Sequence, residues 1–328
     1  MQKKFIVITS IFPPTEAVKK FSQISDWNLV VVGDKKSPAD WRFPNVTYLG
    51  PEDQESLGYD TLKLLPWNHY CRKMVGYLYA IEQGADLIAD SDDDNIPYDS
   101  WPELPEDGTK LRLLSGCKFV NIYRYFTKET VWPRGYPLNR ILETEQPSET
   151  DTQAPVGIWQ SLADEDPDVD AIYRLTNNKP IFFSKERHLA LDKGVVSPFN
   201  SQNTIFAKEL FPLLYLPSFV TFRFTDILRG LVAQPLMWNS GLHLGIGPAT
   251  VVQKRNPHNY LRDFESEIPV FLHSEKVIDT LCSVDLSQKD LGSALIIAYE
   301  ELLKQNIVEA NEVELLKLWV GDVKKLSK

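Results

Sequence analysis

The sequence predicts an α/β fold: a doubly wound, mostly parallel sheet flanked by helices, with a helical C-terminal extension. Three observations predict it. Runs such as "KFIVITS" (4–10) and "NLVVVG" (28–33) are apolar without alternation, as strands covered on both faces are. Strand and helix signals alternate through the first hundred residues. Acidic residues stand directly behind two of the apolar runs, where an open α/β sheet forms its ligand crevice.

The elements follow in order. "PTEAVKKFSQIS" (14–25) reads as a helix, with Pro14 or Thr15 at its start and Ala17, Val18 and Phe21 on one side. "WNLVVVGD" (27–34) is the second buried strand. "NVTYLG" (45–50), entered through Pro44 and Asn45, is a short third. "NHYCRKMVGYLYAIEQG" (68–84) is an amphipathic helix with Cys71, Met74, Val75, Leu78 and Ile81 along one face. Gly84 sits where a left-handed cap belongs. Arg72 and Lys73 fall opposite that stripe, on what reads as the polar face. "ADLIADS" (85–91) is the next strand. Residues 97–160, rich in Pro, Trp and charge, read as strands and long loops over the sheet edge. "AIYRLT" (171–176), "KPIFFS" (179–184) and "NTIFAK" (203–208) read as short strands. "FTDILRGLVAQPLMW" (224–238) reads as a helix ended or kinked near Pro235. From about residue 275 the pattern is helical and charged. The expected organisation is one domain over residues 1–270 and a helical extension over 271–328.

Composition excludes several function classes. Of 328 residues, 43% are hydrophobic and 24% charged, a globular balance. A formal net charge of −10 offers no basic surface for sequence-independent nucleic-acid binding and no attraction to anionic lipid. Cys71, Cys117 and Cys282 are widely spaced and include no CxxC pair, so they fit neither a disulfide framework nor a zinc knuckle. "MQKKFIVITSIFPPTE" mimics a signal peptide, but its apolar run covers only Phe5 to Phe12 and lacks a small-residue cleavage site. No apolar run is long enough for a membrane span. The expected location is cytoplasmic.

The chemistry concentrates in "ADLIADSDDDNIP" (85–97). Asp92, Asp93 and Asp94 repel one another, and something must offset that repulsion. Alone, such a triple is more often a solvated turn. Placed just past a buried strand, it becomes a hard oxygen site suited to Mg²⁺ or Mn²⁺. An EF-hand loop is excluded by the missing Gly and Glu at the sixth and twelfth positions. The ion would arrive with a diphosphate, so without one the loop should be loosely held. Asp34, behind "NLVVVG", can accept from a ribose or base, with Lys36 close by for phosphate. It reads equally well as part of a polar turn. "VWPRGYPLNR" (131–140) is a rigid, basic, aromatic loop bearing Arg134. "WQSLADEDPDVDA" (159–171) is a second acidic cluster, either a reader of sugar hydroxyls or a solvated loop. Asp226 opens a helix with Arg229 one turn on; it is a cap with an i,i+3 partner, or a base beside an acceptor hydroxyl. "KRNPHN" (254–259) holds Arg255 and His258, and a neutral imidazole is a common ligand for Mn²⁺. "GLHLGIGP" (241–248) is Gly-rich but lacks the strand–helix context of a phosphate loop.

"CRKMVGYL", "SDDDN", "PRGYPLNR" and "WQSLADEDPDVDA" together, in that order, resemble the reversibly glycosylated polypeptides, the UDP-arabinopyranose mutases of plants. A fuller likeness runs from "FPPTEAVKKF" and "VVVGDKK" through "LPWNHYCRKMVGYLYAI" to "DPDVDAIYRL" and "DILRG", over most of residues 5–265. It is to the STELLO glycosyltransferases. Both resemblances imply a GT-A-like, Rossmann-like catalytic domain, here residues 1–270, that binds a nucleotide sugar. They imply metal and diphosphate binding at Asp92, Asp93 and Asp94, a nucleoside contact at Asp34 and a catalytic base at Asp226. Taken with the residue readings above, donor contacts are expected at Thr9, Asp34, Lys36, Arg72, Asp92, Asp93, Arg229 and Arg255, and Mn²⁺ or Mg²⁺ at Asp92, Asp94 and His258. Arg134 matches the position glycosylated in the mutases. STELLO proteins carry a membrane anchor and further domains, neither of which is expected here. The expected reaction is metal-dependent transfer from a nucleotide sugar, with UDP as the expected nucleotide, to a glycan, lipid-linked or small-molecule hydroxyl. The alternatives are a UDP-sugar mutase working through the Arg134 loop and a non-catalytic partner of a polysaccharide synthase.

Overall fold

A computed structural model describes residues 2–143, 147–255, 258–286 and 289–327. Within them eleven strands form one mixed sheet. Strands β1 (Lys4–Thr9), β2 (Asn28–Val32), β3 (Val46–Leu49) and β4 (Leu87–Ser91) make a parallel block in the order 3-2-1-4. Helices α1 (Glu16–Phe21), α2 (Pro51–Ser56) and α3 (Lys73–Glu82) connect them. The chain then adds β5 (Asn95–Pro97), β6 (Leu111–Ser115), β7 (Ser148–Thr152), β8 (Val156–Asp164), α4 (Ala171–Thr176), β9 (Leu189–Leu191) and β10 (Asn203–Ala207). The antiparallel β10 joins β4 to β8, so the parallel block continues into a mixed half. Helix α5 (Thr225–Trp238) and the long β11 (His243–Gln253) follow. α6 (Tyr260–Cys282), α7 (Leu291–Lys304) and α8 (Ala310–Leu326) close the chain.

The unalternating apolar runs are explained by two cores. Val7, Val30 and Val32 face α3 and the C-terminal helices, while Ile6, Ile8, Leu29 and Val31 face Val18, Phe21, Trp27 and Trp41. α1 starts as the sequence suggests: the Thr15 hydroxyl accepts from Val18 N at 3.3 Å. α3 ends at Gly84, whose φ of 78° supplies the left-handed turn. The C-terminal helices dock on the α3 side. Trp319 is fully buried and donates to Pro212 O, and Asp322 accepts from Asp60 N and Thr61 N at 3.1 and 2.7 Å. Residue 270 lies inside α6. Among the described residues no helix is long and apolar enough to cross a membrane.

Several expectations are corrected. "AIYRLT" is helix α4, because Asp170 caps it at Tyr173 N (2.8 Å) and the buried Glu267 accepts from Ala171 N (2.7 Å). In "KPIFFS" only Ile181 pairs, in a single bridge to Glu165. "GLHLGIGP", a weak candidate for a phosphate loop, is strand: from His243 it forms β11, where Gly245 and Gly247 admit Trp159 and His188 at close range. α5, by contrast, ends at Trp238, near Pro235 as expected. Arg72 and Lys73 are buried, not on a polar face.

Candidate functional site

The carboxyl ends of β1, β2 and β4 meet beside the point where the strand order reverses, the usual crevice of such sheets. A cleft of about 340 Å³ opens there. Thr9, Asp34, Lys36, Arg72, Asp92, Asp93, Asp94, Arg134, Asp226, Arg255 and His258 all line it. Arg229 sits beneath the cleft instead, buried against Asp90 at 2.7 Å. It is not among the residues that line the cleft, and its ion pair is with Asp90, not Asp226.

The acidic loop holds its charge with partners from within the chain. Lys73, the first residue of α3, is fully buried and donates to Asp90 Oδ1 (2.8 Å), Asp92 Oδ1 (2.7 Å) and Ser91 O (2.8 Å). Burial alone would lower the Lys73 ammonium, but Asp90 and Asp92 outweigh it and hold it above its ordinary value. Asp93 accepts from Ser10 Oγ at 2.5 Å. Asp94 Oδ2 accepts from Gln253 Nε2 at 3.3 Å, while its buried Oδ1 has no hydrogen-bond partner. Burial raises Asp92 and Asp94 to about 6, even with Lys73 beside Asp92. Lys73 and Ser10 thus offset part of the repulsion within the chain, before any ion is invoked.

The Arg134 loop feeds a second cluster. Gly135, at φ 89°, turns the chain where a Cβ would lie 2.5 Å from Ile227. Arg134 forks onto Asp168 through Nε and Nη2, both at 2.8 Å, and reaches Asp226 Oδ2 at 2.9 Å. Its Nη1 donates to Arg223 O. Burial pushes Asp168 up, but Arg134 and Arg223 hold it well below the usual carboxylate range. The guanidinium is committed to two carboxylates and a carbonyl, which leaves it ill placed to accept a sugar. Asp226 lies in the first turn of α5, whose cap is Phe224, so it is not the capping residue. The second acidic cluster is structural as much as solvated: Asp164 accepts from Tyr98 and Phe183, and Asp170 from Trp132.

Just past the end of β2, Asp34 accepts from Lys35 N, Asn68 N and His69 N, so it shapes the wall as well as lining the cleft. His69 Nδ1 accepts from Cys71 N, which leaves its Nε2 as the donor. Arg72 bonds Gln54 and Leu65 O and lies 3.7 Å from the centre of the Trp67 ring.

Metal fit is divided. Among the described residues no three His, Cys, Asp or Glu side chains form a ready metal centre. Yet Asp94 Oδ1 is an orphaned buried acceptor, and His258 donates Nδ1 to Asp263 at 2.9 Å, the support expected behind a ligating Nε2. Burial, with Arg255 nearby, lowers the His258 imidazole. Opposite, Arg255 pairs with Asp166 at 3.4 Å, but its Nε and Nη1 make no hydrogen bond.

Residues 223–328 match the family model described as STELLO glycosyltransferases. The chain is related to that family. It is 32% identical over 271 residues to an Arabidopsis thaliana protein named "Probable glycosyltransferase STELLO2", and 32% over 270 residues to "Probable glycosyltransferase STELLO1" of the same plant. The matched stretch covers 76% of this chain and 35% of each relative, so the chain spans about a third of the STELLO relatives' length. In this STELLO-related chain the sequence reading missed Lys73, Asp90 and Ser10. A signal for Lys73 existed: Tyr77 and Ala80 share its side of α3, so that helix has no polar face.

Proposed function

We propose that the cleft carries out metal-dependent glycosyl transfer from a nucleotide sugar, of the UDP type, to an acceptor hydroxyl. One observation carries the reading. A buried acceptor without a partner, Asp94 Oδ1, and a buried donor without a partner, Arg255 Nη1, belong to residues that line one cleft at the sheet's switch point. A diphosphate with a hard cation satisfies both. The relationship to STELLO glycosyltransferases supports the same reading.

Asp34 and the His69 wall would receive the nucleoside, and Arg255 and Lys36 the diphosphate. Asp92, Asp94 and His258 Nε2 would hold Mn²⁺ or Mg²⁺, which when bound would neutralise charge on the departing diphosphate. Asp226, oriented by Arg134 and Tyr70, would take the acceptor's proton as its oxygen bonds the anomeric carbon. The carbon–oxygen bond to the diphosphate breaks, and the electron pair leaves with the diphosphate. No observation favours a mutase acting through Arg134.

The test is sugar transfer or donor hydrolysis across a panel of nucleotide sugars with Mn²⁺. Asp226→Asn should lower kcat by about 10²–10⁴ and leave UDP binding within a few-fold. Turnover that survives intact in an Asp92→Ala/Asp94→Ala variant ends the metal role.

A further inference from the structure

We infer that Lys73 is a built-in counter-ion that makes divalent-cation binding at the acidic loop conditional on the nucleotide. The inference rests on the proposed nucleotide-sugar site and adds an order of assembly to it.

An ammonium has three N–H donors, and Lys73 directs them to Asp90, Asp92 and Ser91 O, all within 2.8 Å. Its side chain has no exposed surface, and Asp90 has none either. Arg229 takes the other oxygen of Asp90 at 2.7 Å. Two fixed cations therefore stand against Asp90 and Asp92, and those carboxylates are balanced before any ion arrives. Asp93 is bound to Ser10. Asp94 Oδ1 is an acceptor without a partner. The described residues offer no set of three ready acidic or imidazole ligands.

A divalent cation entering alone meets the Lys73 charge across Asp92 and finds too few oxygens. A diphosphate changes both conditions. It brings negative charge to offset the ammonium, and it brings the missing oxygen ligands. The same Lys73 holds Asp92 in place by its contact with Oδ1, which leaves Oδ2 for the incoming ion. Lys73 is thus a positioning residue, and what it sets is the coupling between metal and nucleotide.

The test is Mn²⁺ titration of the full chain at pH 7.5, read by electron paramagnetic resonance of free Mn²⁺, with and without UDP. For the wild type, UDP should tighten Mn²⁺ binding by at least about tenfold. Lys73→Gln should bind Mn²⁺ without UDP at least about tenfold more tightly than the wild type, with the effect of UDP reduced. A folded Lys73→Gln protein that binds Mn²⁺ no more tightly than the wild type overturns the inference. So does a wild type whose Mn²⁺ affinity ignores UDP while UDP itself binds, an outcome that leaves the nucleotide site standing. If calorimetry finds no UDP binding at all, the nucleotide-sugar reading falls and this inference with it. Should Lys73→Gln fail to fold, by circular dichroism, the wild-type coupling alone decides.

Discussion

At the scale of single residues, the site is governed by which charges have partners. Asp94 has a pKa raised from 3.8 to about 6 by burial. In the window between those values the folded state keeps a proton that the unfolded state releases. The group's contribution to stability therefore falls as pH rises from about 4 to about 6, and above that the charge costs stability. Without divalent ions, Asp94→Asn should stabilise the protein at pH 7.5 by on the order of 1–2 kcal/mol and change little at pH 4.5. Urea melts at the two pH values measure this, and a loss of stability at pH 7.5 would show that the carboxylate is better supported than its orphaned oxygen implies. Arg134 is the opposite case, a buried cation with two carboxylates. Arg134→Ala leaves Asp168 and Asp226 facing each other with only the more distant Arg223 beside Asp168, and should cost about 3–5 kcal/mol. Arg134→Lys cannot fork onto Asp168 and should recover only part of that loss. A variant as stable as the wild type would return Arg134 to consideration as a reactive group.

At the scale of elements, α3 joins the core to the acidic loop. Its first residue, Lys73, touches Asp90 and Asp92, and its middle packs on β1 and β2. Gly76 makes that approach possible, since a Cβ there would lie 2.5 Å from Val7 and 2.8 Å from Val32. Gly76→Ala should destabilise by about 1–3 kcal/mol through overpacking, despite the better helix propensity of Ala. It should also reduce the effect of UDP on Mn²⁺ binding, because a helix pushed off the sheet carries Lys73 away from Asp92. Unchanged stability together with unchanged Mn²⁺ binding would show that the sheet yields to the added methyl.

At the scale of the whole molecule, the C-terminal helices and the parallel block share one core. Glu312 accepts from Ser218 N and Phe219 N, and Asp322 accepts from Asp60 N, Thr61 N and Thr61 Oγ1, all far away in sequence. Heating should therefore give one calorimetric transition. Two separate transitions would instead mark the stretch after residue 270 as its own unit. Asp322→Ala should cost about 2–3 kcal/mol, since three donors lose a charged acceptor.

Local patterning in the chain fixes the parallel β1–β4 block, a helix start at Pro14 or Thr15, the cap at Gly84, and the position of Asp92–Asp94 past a buried strand. Each of these follows from local information: side-chain periodicity, turn chemistry and the order of elements along the chain. It determined less of the mixed half. α4 was read as a strand because "AIYRLT" is apolar and short, and what makes it a helix is Asp170 and the distant Glu267. "GLHLGIGP" was legible as Gly-rich but not as a strand, since the reason for its glycines is the close approach of Trp159 and His188. Only the tertiary structure decided how the charges pair. Lys73 with Asp90 and Asp92, Arg229 with Asp90, and Arg134 with Asp168 and Asp226 span from 17 to 139 positions of sequence separation. Such pairs obey no period, because a buried charge is fixed by the opposite charge that the fold brings to it in space.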